Sequence, residues 1–321
     1  PGDGQLELVF FFDAMAHIAR FCRILKQGGN ALLIGGPGCG KKTVALLGSF
    51  IAGYQVEEVL KSEEPTPHHY RDHLKRAIMQ SAIEGVKMVY LVCDVELPNE
   101  DFMAQLNMVV NHKTVGDFFS VEEEAEVVVH VRPLMKQYGL PEDHEECWKR
   151  FLESIRNNFR VVLCMQPKGD GLRARLRSFP SLVSCTEIDW YHELSLPSLC
   201  TVGEAFLSSG SLPASVVPQT MIPGIAATCA STFQGVCGLA KSNASVDTSA
   251  RGYFELLRLY RELLIDKAQN LKTRREDLLD GIKKLEAAET NVVVMKKNIE
   301  ELKPILQAKS EDMERFVQQE S

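Results

Sequence analysis

Nine consecutive residues, Gly35, Gly36, Pro37, Gly38, Cys39, Gly40, Lys41, Lys42 and Thr43, carry the chemistry most legible in this chain. They approach the pattern G-x-x-x-x-G-K-[ST], whose glycines let successive backbone N–H groups turn inward on phosphate oxygens and whose lysine reaches the β- and γ-phosphates. Gly35, Gly40 and Lys41 meet that pattern. The next position should hold a hydroxyl that ligates Mg²⁺, but it holds Lys42, and Thr43 stands one place late. The apolar run Ala31-Leu32-Leu33-Ile34 precedes the loop and Val44-Ala45-Leu46-Leu47 follows it, which is the strand-loop-helix order the motif requires. A helix N-terminus would add its partial positive charge. The stretch reads as a site for ATP or ADP with Mg²⁺; the plainer reading is a glycine-rich turn without a ligand.

A nucleotide site of this kind needs an apolar strand ending in an aspartate that holds the metal, followed by a glutamate that polarises the attacking water. Met88 to Cys93 ends in Asp94, but Val95 takes the glutamate's place and Glu96 comes one residue later, a doubtful base. Taken alone, Asp94 also reads as a turn residue after a strand. If Thr43 and Asp94 act together, they are the candidate Mg²⁺ ligands. A further run, Val161 to Met165, ends in Gln166, whose amide could hydrogen-bond the γ-phosphate or the lytic water. Arg173, Arg175 and Arg177 follow in alternation and could put a guanidinium on phosphate charge at a module boundary; the plain alternative is a solvated basic loop. His69 and His73 stand at i, i+4 without a thiol or second carboxylate at ligand spacing, so no metal site is expected there. The run Glu122-Glu123-Glu124-Ala125-Glu126 reads as a solvated helix start.

Positioning such a loop takes an α/β framework, and the first 200 residues alternate short apolar runs with amphipathic stretches as a parallel sheet does. The pattern predicts strands over 6–11, 31–34, 56–59, 88–93 and 161–165, with helices over 13–26, 41–52, 69–85 and 145–157. Residues 207–250 become rich in Ser, Ala, Pro and Gly and predict short helices joined by loops. The nine cysteines form no C-x-x-C pair and read as reduced core residues. No uninterrupted apolar run approaches 18 residues, so no membrane segment is expected. From Arg251 onward 14 basic and 14 acidic residues cancel, which leaves the whole net charge of −7 on residues 1–250. An acidic body without a basic stripe argues against nucleic acid as a partner.

From about Arg251 the chain is charged and helix-forming. Small or apolar residues recur at Leu264, Ala268, Leu271, Leu278, Ile282 and Leu285, then Ala288, Val292, Met295, Ile299, Leu302 and Leu306. This 3-4 spacing is a coiled-coil seam, with a stammer at Ile282, Leu285 and Ala288 where two steps of three adjoin. Pro304 removes one helix hydrogen bond and predicts a kink. A helix of about 70 residues at ~1.5 Å rise would reach roughly 100 Å. Its seam needs a second helix from another chain or from sequence beyond this one.

Taken with Leu8 to Ile18 before the loop, Cys185 to Glu193 with its Ile188-Asp189-Trp190, and Tyr253-Phe254-Glu255-Leu256-Leu257 running into the heptads, the chain resembles the fourth AAA+ module of a dynein heavy chain with the first helix of its stalk. The resemblance implies a P-loop AAA+ fold: a large α/β nucleotide-binding part over 1–200, a small helical part over 201–255, and the truncated stalk helix over 256–321. It implies a regulatory nucleotide site within an ATP-driven, minus-end-directed microtubule motor whose main hydrolysis site lies in another module. The implied partners are neighbouring modules of the same heavy chain, the returning stalk helix, the microtubule through the stalk tip, and intermediate and light chains through the whole complex. Lys42 in the hydroxyl's place resembles axonemal dyneins and so points to the cilium or flagellum. The expectation is binding without efficient turnover. The competing readings are a non-enzymatic tether, in which a degenerate P-loop body carries a coiled coil, and an active ATPase of the chromosome-maintenance kind, whose serine-glycine signature is not seen.

Overall fold

The computed structural model describes residues 9–59, 67–93, 100–111, 115–167, 171–209, 217–240 and 249–319. Asp94, Val95 and Glu96 therefore lie outside the described residues. Five strands form one parallel sheet: β1 (Asn30–Gly35), β2 (Gln55–Glu58), β3 (Met88–Cys93), β4 (Phe159–Met165) and β5 (Thr186–Tyr191), in the order β2-β3-β4-β1-β5. Helices cover both faces of such a sheet, so β1, β3 and β4 read as unbroken apolar runs rather than as alternating ones.

The side-chain period of two still sorts each strand's residues. Ala31 and Leu33 of β1 join Val89, Leu91, Val162 and Cys164 under α1 (Phe12–Lys26) and α2 (Lys41–Ala52). Leu32 and Ile34 face the opposite layer with Tyr90, Val92, Val161 and Leu163, against α3 (Pro67–Glu84), α4 (Glu100–Val110), α5 (Val121–Gln137) and α6 (His144–Asn158). The expected acidic helix start is the first turn of α5, where Ser120 and Glu123 form a reciprocal capping box and Glu123 also pairs with Lys75. His73 is buried between the Tyr90 hydroxyl at 3.1 Å and Glu57 at 3.0 Å, and so serves the seam between α3 and the strands.

The edge of the sheet departs from expectation. The proposed strand over 6–11 falls partly outside the described residues, and Val9 to Phe11 join no sheet: Phe11 is extended but acts as the N-cap residue of α1. The place beside β1 belongs to β5, which the pattern did not predict. Its reason is chemical: along β5 the buried residues are Asp189 and Tyr191, while Ile188 and Trp190 are 47% and 44% exposed, the reverse of an ordinary hydrophobic alternation.

After the sheet come α7 (Gly171–Ser178), α8 (Ser181–Ser184), α9 (Leu196–Ser209) and α10 (Ile222–Ala240). The Ser- and Gly-rich stretch thus makes longer helices than expected. Its hydroxyls stay inside the helix by bonding back one turn, as Thr228 does to Gly224 and Thr232 to Thr228. Its small residues permit close approach: a Cβ on Gly203 of α9 would lie 3.2 Å from the Ala226 Cβ of α10. Gln219–Leu239 also has the length and mean hydropathy, 1.2, of a membrane span, with Ile222, Ala226, Cys229, Ala230 and Cys237 buried on one side.

The last helix, α11 (Ala250–Gln319), runs for 70 residues and its helical assignment continues through Pro304. Contacts divide the described residues into a unit that ends at Arg258 and a second that begins at Leu259. Within the first, Tyr253 is buried and donates its hydroxyl to the Leu199 carbonyl at 2.9 Å. The second is a single helix of roughly 90 Å at ~1.5 Å per residue, with Leu271, Leu278, Ile282, Leu285, Val292, Met295 and Ile299 of the seam exposed.

The sheet's first face depends on close contact between α1 and α2. A Cβ on Gly48 would meet the Phe21 ring at 2.5 Å, and Phe21 is fully buried. Gly48→Ala should lower stability by about 1–3 kcal/mol through overpacking, read as a fall in the denaturant midpoint; an unchanged midpoint would mean that α1 and α2 are not in this contact.

Candidate nucleotide site

Ligands of open parallel sheets bind beyond the carboxyl ends of the strands, where the strand order reverses. Here β1 lies between β4 and β5, and the residues that leave β1 at its carboxyl end are the glycine loop. Gly38 and Gly40 take φ of +69° and +87°, a region that L side chains rarely adopt. Gly35 is needed for a different reason: a Cβ there would lie 2.6 Å from the Tyr191 Cβ and 2.9 Å from the Cys39 Sγ. The loop ends at Lys41, the first residue of α2. The first N–H groups of a helix have no partners within it, so the start of α2 presents donors and a positive dipole end at this point.

Lys41 is only 8% exposed. Its Nζ donates to the carbonyls of Gly35 and Gly36, each at 2.6 Å, and lies 3.5 Å from the Cys39 Sγ. A buried ammonium must be paired, and here the loop's own oxygens satisfy it while holding it at the mouth of the strand. Lys42, one residue on, is half-exposed and reaches a different element: its Nζ lies 2.5 Å from Oε2 of Glu58 at the end of β2.

A recess of about 410 Å³ is lined by the loop from Pro37 to Thr43 and by Cys93, Cys164 and Gln166. Gln166 is half-buried, just past the end of β4, and shares this recess with Lys41 and Lys42. Cys93 and Cys164 are register partners on β3 and β4. The hydrogen bond between them, then burial, pushes the Cys164 thiol well above its usual range. Thr43 is exposed and borders both this recess and a larger one.

The larger cavity, about 890 Å³, opens from Gly38, Cys39 and Gly40 to Phe11, Phe12, His17, Tyr191 and Phe254, all within the first unit. Its walls are mostly aromatic and apolar, as a planar heterocycle requires. The wall is held by a charged cluster. Asp189, 4% exposed, accepts from His17 at 2.7 Å and from Arg20 at 3.2 Å, and the His17 ring stacks on Tyr191 at 4.0 Å and 8°. Burial pushes the Tyr191 phenol well above its usual range, and its buried hydroxyl has no hydrogen-bond partner among the described residues. At the edge, Asp13 accepts from the Ser195 hydroxyl at 2.9 Å and from Ser198 at 2.7 Å, which joins the start of α1 to that of α9.

The sequence-predicted residues therefore separate. Gly35 to Thr43 and Gln166 come together. Arg173, Arg175 and Arg177 lie on α7 and are not among the residues lining either recess. At 100° per residue, Arg173 and Arg177 share one exposed face while half-buried Arg175 is turned away from them, so the alternation belongs to a helix and does not form one row. Asp94 and Glu96 are outside the described residues, although Cys93 immediately before them borders the loop recess. The residues that pattern alone did not single out are Glu58, Cys93, Cys164, His17 and Asp189. Only Asp189 left a trace, an acid amid Ile188, Trp190 and Tyr191.

The donor set fits a nucleotide's phosphates: a loop of left-handed glycines, a buried lysine and a helix start. It fits a divalent cation less well, because the place of the hydroxyl ligand holds an ammonium paired to Glu58.

Residues 6–263 match the family described as the P-loop containing dynein motor region D4. The chain belongs to this family. As a D4 module it is 31% identical over 314 residues to dynein axonemal heavy chain 1 of Mus musculus, a match that covers 96% of this chain and 7% of that protein. It is 30% identical over 323 residues to dynein axonemal heavy chain 6 of Homo sapiens, covering 98% and 8%. It is also 30% identical over 316 residues to the ciliary dynein beta chain of Heliocidaris crassispina, covering 98% and 7%. The D4 chain thus spans less than a tenth of the length of these relatives.

The Ser198 hydrogen bond holds the Asp13 carboxyl below the usual carboxylate range, with burial opposing it and Ser195 adding to it. A depressed carboxyl contributes stability that is present above its unfolded value, ~3.9, and is lost as pH falls through the folded value. Asp13→Asn should cost about 1 kcal/mol at pH 7, and the gap to the parent should close as pH falls below about 4. Melting curves at pH 7, 5 and 3 check this; a gap independent of pH would exclude the assignment.

Proposed function

We propose that this D4 module binds ATP or ADP at the glycine loop and hydrolyses it poorly, acting as a regulatory site within an ATP-driven, minus-end-directed microtubule motor. The observation that carries this reading is Lys41, buried at the start of α2 with its ammonium on the loop carbonyls and Gln166 across the same recess. In bound nucleotide the phosphates would meet Lys41 and the amides at the start of α2, and the base would enter the aromatic cavity beside His17 and Tyr191. Bound nucleotide would supply the charge that draws these elements together.

Poor turnover follows from two residues. Lys42 takes the place of the hydroxyl ligand to Mg²⁺, and Val95 takes that of the polarising carboxylate. Loss of one such group typically costs 10² to 10⁴ in rate. Glu96 is the weaker candidate for the base, and Gln166 is the candidate sensor of the γ-phosphate. Arg173, Arg175 and Arg177, on a helix away from the loop recess, would act only on nucleotide held by an adjacent module.

The heptad part of α11 is the first helix of a stalk, and its exposed seam calls for a returning helix. The relatives' names are axonemal and ciliary, so the cytoskeleton of a cilium or flagellum is the compartment of this reading. Its partners would be the neighbouring modules of the heavy chain, the microtubule at the stalk tip, and intermediate and light chains of the complex. Nucleotide would act by biasing the stance of the stalk, a coupling between two sites.

Titration with a fluorescent ADP analogue should give saturable binding, weakened roughly 10- to 100-fold by Lys41→Ala, as expected for loss of charge-assisted hydrogen bonds. Single-turnover hydrolysis should fall far below the ~1–10³ s⁻¹ of ordinary enzymes. Lack of binding, or binding indifferent to Lys41, would leave a non-enzymatic tether as the better account; rapid hydrolysis would overturn the regulatory assignment.

A further inference from the structure

We infer that this site takes its nucleotide without a divalent cation, the ammonium of Lys42 standing where the metal would stand. This deepens the nucleotide reading above and rests on it.

Three observations carry the inference. Lys42 follows Lys41 directly, in the first turn of α2, at the position where a hydroxyl would have to present a lone pair to a metal. An ammonium has donors and no lone pair, so it cannot ligate a cation, and its charge repels one at short range. Lys42 also borders the recess that holds Lys41 and Gln166. Finally, its position is built: Glu58, at the end of β2, meets Nζ at 2.5 Å, and β2 is held in register on β3 from Gln55–Met88 to Glu58–Leu91. An ammonium has three donors, so the contact to Glu58 does not by itself exhaust it.

Thr43 does not restore the missing ligand. It lies 100° further round α2 than Lys42, exposed and bordering the larger cavity as well. The geometry thus gives the recess two lysines, one buried and held by the loop, the other held by the far edge of the sheet. Together they offer polyphosphate ammonium donors in place of a lysine and a metal ion, the second ammonium being shared with the Glu58 carboxylate.

The test uses the 321-residue chain and a fluorescent ADP analogue, titrated in 5 mM-scale MgCl₂ and in EDTA at matched ionic strength (about 0.15 M, where screening is moderate). The expected result is an affinity that changes by less than about 3-fold between the two buffers. Lys42→Thr, which restores the hydroxyl, should bind with an affinity that rises roughly 10-fold or more on adding magnesium. Lys42→Met, which keeps the stem but removes the charge, should bind about 10-fold more weakly than the parent in EDTA. Circular dichroism melts of each variant confirm that it folds. A parent affinity that drops 10-fold or more in EDTA, or a Lys42→Met variant that binds as the parent does in EDTA, overturns the inference and leaves the nucleotide reading standing. Absence of binding in both buffers removes both.

Discussion

The placement of β1 between β4 and β5 is the constraint on which the rest of the module depends. A parallel strand bonded on both sides has no freedom of register, and β1 is aligned with β4 from Ala31–Val162 to Ile34–Met165 and with β5 from Asn30–Thr186 to Gly35–Tyr191. The glycine loop must therefore leave the sheet next to the end of β4, which delivers Gln166, and against Tyr191 of β5. Gly35 is the residue that this crowding demands, since the Tyr191 side chain leaves no space for a Cβ. Asn30 secures the other end: buried, its side-chain amide accepts from the Val161 N–H and donates to the Val110 carbonyl, so both its ends are satisfied.

Two polar clusters then serve different purposes around one loop. Asp189, between His17 and Arg20, ties α1 to the edge strand and turns a strand of mixed character into a wall of the larger cavity. Removing a partner of a buried carboxylate of this kind would leave charge uncompensated. Lys41 and Lys42 are adjacent in sequence but opposite in setting. The first is buried on loop carbonyls, and the second is half-exposed on a carboxylate from the far edge of the sheet. Their separation follows from helical geometry, which turns neighbouring side chains by 100°.

The long helix obeys another logic. Up to Leu257 its buried residues, Tyr253 and Leu257, belong to the first unit, and the Tyr253 hydroxyl is satisfied by α9. From Leu264 the small or apolar residues follow a heptad seam instead, whose burial requires a second helix. One continuous helix thus buries apolar residues within the first unit and exposes them in the second.

The sequence by itself determined the parts whose physics is local. The strand before the loop, the glycines, Lys41 at the helix start, the bounds of α2, the strands β2 to β4 and the heptads could all be read, because each follows from periodicity, backbone sterics or a spacing along one element. Only the tertiary structure decided β5, whose buried residues are an acid and a phenol, so that no run of apolar residues announces it. It alone decided that Phe11 belongs to a helix entrance rather than a strand, that the arginines of α7 share neither a row nor the loop recess, and that Lys42 has Glu58 for a partner. Those facts depend on which strands become neighbours, and contacts between residues 16 or 172 positions apart, as Lys42–Glu58 and His17–Asp189 are, leave no periodic trace in the chain.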